Sequence, residues 1–279
     1  MATAETCALI SRVVAEELAQ YLHTLPREAW HRPSACDAWE VCDVVGHLVW
    51  VAQMYTEGIT RGLRGETAPL EGFPPAGALE TAAYSAFTAQ QAIAQRSHLG
   101  EDVLTAFTTR TAQLHDCLMR LQPHDDATLC YHPFRLMPAQ MFPPLWLTEM
   151  TLHAWDIRVA LDPTASLTAE SLPILMERLP RRAMVNFRPG ARLAAPVRYR
   201  FAVTGVVPGT YDLLVQGDQA VMEPAGMTAA HVTCHCQTET FVLLMMDRLS
   251  LETALERGDI RVEGDRGLVA AFETWFKGV

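Results

Sequence analysis

The segment Pro143-Pro144-Leu145-Trp146-Leu147-Thr148-Glu149-Met150-Thr151-Leu152-His153-Ala154-Trp155-Asp156-Ile157 holds the side chains best suited to chemistry. Trp146, Glu149, His153, Asp156 and Ala160 recur at intervals of three, four, three and four. On a helix that repeat puts them on one face. Two carboxylates and an imidazole thus share a stripe in a mostly apolar segment, where polar groups are costly unless paired or metal-bound. Glu149 and His153, one turn apart, could offer an oxygen and a nitrogen to one divalent cation. Taken alone, the pair reads more simply as a capped polar spot or a salt bridge to a neighbouring helix, and a metal needs a third ligand from elsewhere in the chain.

A second stripe lies upstream: Trp39, Asp43, Gly46 with His47, Trp50 and Met54. His47 is a third candidate ligand, or a hydrogen-bonded core histidine. Gly46 beside it would let another helix, or a ligand, approach closely. Asp43 and Asp156 stand on the ligand-bearing stripes. Either could accept a ligand histidine's N–H and fix its tautomer, or pair with an arginine such as Arg158.

Other chemistry-bearing residues compete for attention. His231-Val232-Thr233-Cys234-His235-Cys236 is a rival metal cluster, but on a strand its histidines point to one face and its cysteines to the other. Arg198 and Arg200 alternate with Tyr199 and Phe201; they could bind an anionic substrate or simply face water. Cys36 precedes the His47 stripe and reads as packing. Trp50, Trp146 and Trp155 could wall a pocket, although aromatics at helical spacing more often build core.

Helices must hold these stripes, and the chain supplies them. Residues 4–24 carry a helical apolar repeat that ends at Pro26. The next helix spans about 39–64, with Asp37 as N-cap candidate and Glu40 three residues on. A Gly/Pro-rich loop covers 65–77, and helical pattern resumes through 78–97 and 101–121 around Gly100. After a polar loop at 122–143 comes the Glu149 helix, which stops before Pro163. Four helical blocks with long crossovers make a bundle, and bundle cores build metal sites from facing helices. Beyond Pro163 the pattern changes to a helix at 168–184, a turn at Arg188-Pro189-Gly190, and period-two strands at 197–204, 211–215, 219–223 and 231–236. A helix at 238–247, a strand at 260–263 and a helix at 265–277 follow. The expected fold class is α+β: a four-helix bundle over 1–163 and a smaller α+β domain over 164–279 with a mainly antiparallel sheet.

Composition limits the partners. Of 279 residues, 49% are hydrophobic and 19% charged, with net charge −10, which supports a full core and disfavours nucleic acid. No apolar run reaches the length of a membrane span, and the N-terminus lacks the basic-then-apolar pattern of a signal peptide. The 7 cysteines have no framework spacing. Reduced thiols in a cytoplasm are the simpler reading.

Taken together, the two stripes resemble a known family. Trp30-x-x-Pro33-Ser34-x-Cys36-x-x-Trp39-x-x-x-Asp43-Val44-Val45-x-His47-Leu48 is similar to the entry and second helix of the DinB-like, mycothiol-dependent maleylpyruvate isomerase family. Glu149-x-x-x-His153-x-Trp155-Asp156 resembles its last bundle helix. Leu255-Glu256-Arg257-Gly258-x-Ile260-x-Val262-Glu263-Gly264-Asp265 resembles the sterol-carrier-like domain that follows the bundle. The resemblance implies a metal held by His47, Glu149 and His153, and mycothiol as the thiol cosubstrate. It does not select maleylpyruvate as substrate.

Two imidazoles and a carboxylate suit zinc, with a fourth position open for catalysis; nickel, cobalt or iron tolerate the same set. A metal there would keep a thiol as thiolate, the nucleophilic form. The leading expectation is a metal- and thiol-dependent S-transferase or isomerase acting on a small electrophile, monomeric or homodimeric. The alternatives are a metal-dependent hydrolase on the same bundle and a non-catalytic protein binding a small ligand.

Overall fold

The computed structural model describes residues 3–36, 39–188 and 193–276. Asp37, read above as a helix cap, and the Pro189-Gly190 part of the turn lie outside the described residues. The chain divides into two compact units, residues 1–168 and 169–279.

In the first unit, α1 spans Ala4–Thr24, with the Thr3 side chain accepting from Thr6 N at its start. The second helix, α2, spans Val41–Gly62. Its cap is a reciprocal pair three residues later than the one read from sequence. The Glu40 carboxylate accepts from the backbone of Asp43, and Asp43 accepts from Glu40 N at 2.9 Å. Both ends of the box are acidic, the charge that a helix N-terminus favours.

The block expected over 78–121 is two helices, α3 (Thr81–Leu99) and α4 (Val103–Leu118). Gly100, at φ +54°, makes the break, in a conformation that side-chain-bearing residues rarely adopt. Only Ala92 of α3 is buried, so this helix is a poor bundle member. It lies along α2, whose Gly46 makes room: a Cβ there would stand 3.0 Å from Arg96 Cβ and 3.1 Å from Ala92 O. The close approach expected at Gly46 is therefore that of a helix.

The segment read as a loop contains a short antiparallel ribbon, β1 (Leu129–Cys130) and β2 (Met137–Pro138). Its backbone presses on the far end of α2. A Cβ on Gly58 would meet Tyr131 O at 2.6 Å, and one on Gly62 would meet Cys130 Sγ at 2.4 Å. Helix α5 (Phe142–Val159) opens on Pro143-Pro144, where no intrahelical donor is needed. Helices α1, α2, α4 and α5 pack as the bundle. Its core includes Leu18, Leu48, Ile59, Phe107, Leu114, Phe142 and Trp146, each essentially inaccessible.

The second unit begins with α6 (Leu172–Asn186). Strands β3 (Leu193–Thr204), β4 (Gly209–Gly217), β5 (Gln219–Pro224), β6 (Val232–Gln237) and β7 (Ile260–Gly264) follow, with α7 (Thr238–Met245), α8 (Leu251–Arg257) and α9 (Arg266–Trp275). The sheet order is β5-β4-β3-β6-β7, antiparallel except for the parallel β3–β6 pair. The parallel pair arises because the short connection after β5 passes beyond β4 and β3 and sets β6 beside β3.

Alternation along β6 buries Cys234 and Cys236 and leaves His235 partly exposed, as a period of two requires. Arg198 and Arg200 neither face open water nor stand ready for an anion. Both bind the fully buried Asp212: Arg198 Nη1 donates to Oδ2 at 2.9 Å and Arg200 Nε to Oδ1 at 2.7 Å. Arg200 also donates to the carbonyls of Gly226 and Thr228, which fastens the segment after β5. These bonds from Arg200 hold the Asp212 carboxyl below the ordinary range despite its burial.

Candidate metal centre

α2 and α5 bring His47, Glu149 and His153 to one point in the bundle. His47 Nε2 lies 3.2 Å from Glu149 Oε2, and His153 Nε2 lies 3.3 Å from the same oxygen. The two imidazoles meet edge to face, with centroids 4.7 Å apart. Both histidines are buried, while the Glu149 side chain keeps 30% exposure, enough to reach an open side.

The second nitrogen of His153 is also engaged. Nδ1 stands 2.9 Å from Oδ2 of Asp156, one turn along the helix and fully buried. Ionised Asp156 can only accept, so Nδ1 carries the proton. In the neutral ring Nε2 then presents a lone pair toward Glu149. A positive charge must therefore lie between Nε2 and Glu149 Oε2 at 3.3 Å: the proton of the imidazolium, or a divalent ion that would displace it. Burial alone would lower the His153 imidazole. The electrostatic influence of the Cys36 side chain and bonds to Asp156, Cys36 and Glu149 instead hold it well above its ordinary value. Burial alone would raise the Glu149 carboxyl; bonds from His153 and His47 hold it well below.

Zn–N and Zn–O lengths of roughly 2.0–2.2 Å place tetrahedral donors about 3.3–3.5 Å apart. The observed spacings of 3.2 and 3.3 Å come within about 0.2 Å of that frame. Donor chemistry and spacing therefore fit a divalent ion with three protein ligands.

The two candidate supporting carboxylates part company. Asp156 is where a supporting group should be. Asp43 is not: its Oδ1 accepts from Arg96 Nε at 2.8 Å and its Oδ2 closes the α2 cap. A residue four positions before His47 sits on the same face, but the first turn of α2 and the neighbouring α3 use its oxygens first. Asp156 does not pair with Arg158, whose guanidinium lies 5.7 Å over the Tyr21 ring.

Cys36 does more than pack. Its thiol donates to Asp156 Oδ2 at 3.0 Å and lies 3.6 Å from His153 Nδ1. Ser34 organises this entry segment, accepting from Cys36 N and donating to Trp39 O. Ala35 N reaches Asp156 O at 3.1 Å, so the segment is tied to α5. Trp39 thereby covers the site, 5.1 Å from the His47 ring and 6.3 Å from that of His153.

Trp50 is buried beside His47 and stacks on Phe73 at 5.8 Å. Trp146 is core, and Trp155 donates its Nε1–H to Ala165 O. Two polar neighbours escaped the sequence reading. His132 is buried among Tyr55, Tyr84 and Phe142, and burial pushes it down to about 4. Tyr84 is raised by burial and then by the charge of Glu149. Both are neutral at pH 7, so they present polarity without charge. No spacing signalled either one, because each comes from a segment outside the two stripes.

Among the described residues, two further groups could gather around an ion: Cys36 with His153 and Asp156, and His31 with Glu40 and Cys42. The His231–Cys236 run forms none. No described helix is long and apolar enough to cross a membrane.

Comparison with known proteins gives the chain a family. The mycothiol maleylpyruvate isomerase N-terminal domain matches residues 11–158, more than half of the chain. The SCP-2 sterol transfer family matches residues 191–277. Among solved structures, the crystal structure of the mycothiol-dependent maleylpyruvate isomerase superposes with a TM-score of 0.61 at 13% identity, covering 90% of this chain and 94% of that one. A point mutant of that enzyme gives 0.60 at 13% identity, covering 90% and 93%. No curated protein matches. At that identity the structural likeness speaks for the fold, and the sequence match gives the affiliation: the chain belongs to the mycothiol maleylpyruvate isomerase N-terminal domain family.

Proposed function

We propose that this protein is a metal-dependent enzyme that uses a low-molecular-weight thiol, mycothiol, to isomerise a small electrophilic substrate of the maleylpyruvate kind. The observation that carries the reading is the convergence of His47 and His153 on one oxygen of Glu149, in a chain of this family.

His47, Glu149 and His153 would hold the ion. When bound, a divalent ion of the zinc type supplies the Lewis acidity that keeps a thiol ionised at neutral pH. The chain's residues supply the rest. Asp156 fixes the His153 tautomer, so that Nε2 points its lone pair into the site. Trp39 and Trp50 flank His47 and limit water there, and a drier site strengthens each electrostatic contact. Tyr84 and His132 offer uncharged hydrogen-bonding groups that leave the charge balance of the site unchanged.

Thiol-assisted isomerisation needs no protein nucleophile. Bound mycothiol would supply the nucleophile: its thiolate would add to one carbon of the activated double bond, leaving a single bond free to rotate, and its expulsion would restore the double bond. An enzyme built this way has no use for a covalent intermediate on its own side chains.

The test is turnover of maleylpyruvate by purified protein with and without mycothiol. The proposal expects activity that requires the thiol and is lost in His47→Ala. Thiol-independent turnover would instead favour a hydrolase.

A further inference from the structure

His153 belongs to two clusters at once. Its Nε2 looks toward His47 and Glu149, and its Nδ1 toward Asp156 and Cys36. The second cluster holds a sulfur, a nitrogen and an oxygen: Cys36 Sγ–Asp156 Oδ2 is 3.0 Å, Cys36 Sγ–His153 Nδ1 is 3.6 Å and His153 Nδ1–Asp156 Oδ2 is 2.9 Å. We propose that Cys36, His153 Nδ1 and Asp156 form a second metal site, selective for thiophilic divalent ions, back to back with the first across one imidazole.

Spacing supports this. With a Zn–S length near 2.3 Å and Zn–N and Zn–O near 2.1 Å, tetrahedral donors lie about 3.4–3.6 Å apart. The sulfur–nitrogen distance already has that value. The carboxylate oxygen sits about half an ångström too close to each partner, a gap that a small rotation of the Asp156 side chain opens. The backbone keeps the ligands in register meanwhile, since Ala35 N is bonded to Asp156 O and Ser34 Oγ to Cys36 N. A thiolate in the donor set favours soft ions, in contrast to the nitrogen and carboxylate donors of the first site.

Loading this site is a proton exchange without redox change. The ion displaces the Cys36 thiol proton and the His153 Nδ1 proton, and both pass to solvent. Asp156 then ligates the ion instead of accepting from His153, and the imidazole becomes a bridge. The contact that holds His153 for the first site is thereby lost, so such an ion would inhibit the enzyme when in excess.

The nearby His31, Glu40 and Cys42 group is the control. Its His31 and Glu40 side chains are 59% and 41% exposed. Burial, followed by the bond to Glu40, pushes the Cys42 thiol up to about 12, which works against a thiolate ligand there.

The inference shares His153 with the proposed catalytic metal site but is tested apart from it. Metal-depleted full-length protein is titrated with cadmium, following bound ion per chain and the ultraviolet thiolate-to-cadmium charge-transfer band. Wild type should take two equivalents, one of them bringing the band. Cys36→Ser should take one with no band, His47→Ala one with the band, and Cys42→Ser should match wild type. A band that survives undiminished in Cys36→Ser, or wild type binding without any band, overturns the proposal. Should wild type take a single equivalent, with a band that Cys36→Ser removes and His47→Ala does not alter, the second site stands and the first fails.

Discussion

His153 Nδ1 and Asp156 Oδ2 meet at 2.9 Å, with the aspartate fully buried one turn along the same helix. This contact decides which nitrogen of His153 is free for a ligand bond. An aspartate at that position is visible in sequence only as a charge on an apolar stripe; its role comes from the proton it fixes.

Asp156→Asn should therefore weaken metal binding at the His47–Glu149–His153 site without removing any of its ligands. An amide can offer His153 either a donor or an acceptor, so the tautomer is no longer enforced. Loss of such a supporting group typically costs about 10–100-fold in metal affinity. Competition against a chromophoric chelator measures it, and unchanged affinity would show that the contact does not control His153.

His132 should make stability fall in acid. Its folded-state value is pushed below 6.5 to about 4 by burial. Between those limits the unfolded chain takes a proton that the folded chain refuses, so stability drops as pH falls through that window and levels off below it. The full contribution is on the order of 3 kcal/mol. His132→Asn, which keeps an acceptor for Phe134 N, should flatten the slope between pH 6.5 and 4 in denaturant titrations relative to wild type. Parallel slopes in the two proteins would refute the assignment.

Gly62→Ala should destabilise the bundle. The added Cβ would fall 2.4 Å from Cys130 Sγ, 2.9 Å from Cys130 Cα and 2.9 Å from Leu129 O, two of which are backbone atoms with little freedom to retreat. Overpacking of this kind costs about 1–3 kcal/mol. Thermal unfolding reads the loss. A melting temperature equal to or above wild type, as helix propensity alone would give, would contradict the packing argument.

Asp212→Ala should be among the most damaging changes in the second unit. It takes the shared buried carboxylate from two largely covered arginines, leaving Arg198 only Glu223 and Arg200 only the Gly226 and Thr228 carbonyls, and it releases the Gly226 N–H from its acceptor. Breaking one side of a buried ion pair costs about 3–5 kcal/mol. Chemical denaturation should show it. A variant within about 1 kcal/mol of wild type would mean that the network behaves as a surface pair.

Much of this was legible in the residues. The intervals among Trp146, Glu149, His153 and Asp156, and among Trp39, Asp43, His47 and Trp50, reflect helix geometry, whereas α3 buries only Ala92 and ends at Gly100, with no such repeat. What periodicity could not convey was competition between neighbours. Asp43 sits on the proper face, yet the α2 cap and Arg96 take its oxygens. Arg198 and Arg200 look available until Asp212, on the adjacent strand, is seen to occupy both. Cys36 looked like filler because its partners lie 117 and 120 residues away. Short elements were hidden for another reason: α8 has seven residues and β1 and β2 two each, too few to establish a repeat. His132 and Tyr84 reach the site from segments without chemical spacing of their own.

The most direct measurement is the divalent metal content of purified protein and of its ligand variants, by elemental mass spectrometry after exhaustive dialysis with the first site saturated by one added equivalent of zinc. Three side chains around one ion predict that wild type retains about one zinc per chain, while His47→Ala, Glu149→Gln and His153→Ala, each combined with Cys36→Ser so that the second site cannot bind, retain little. Full retention in all three variants, or none in wild type, would contradict the account.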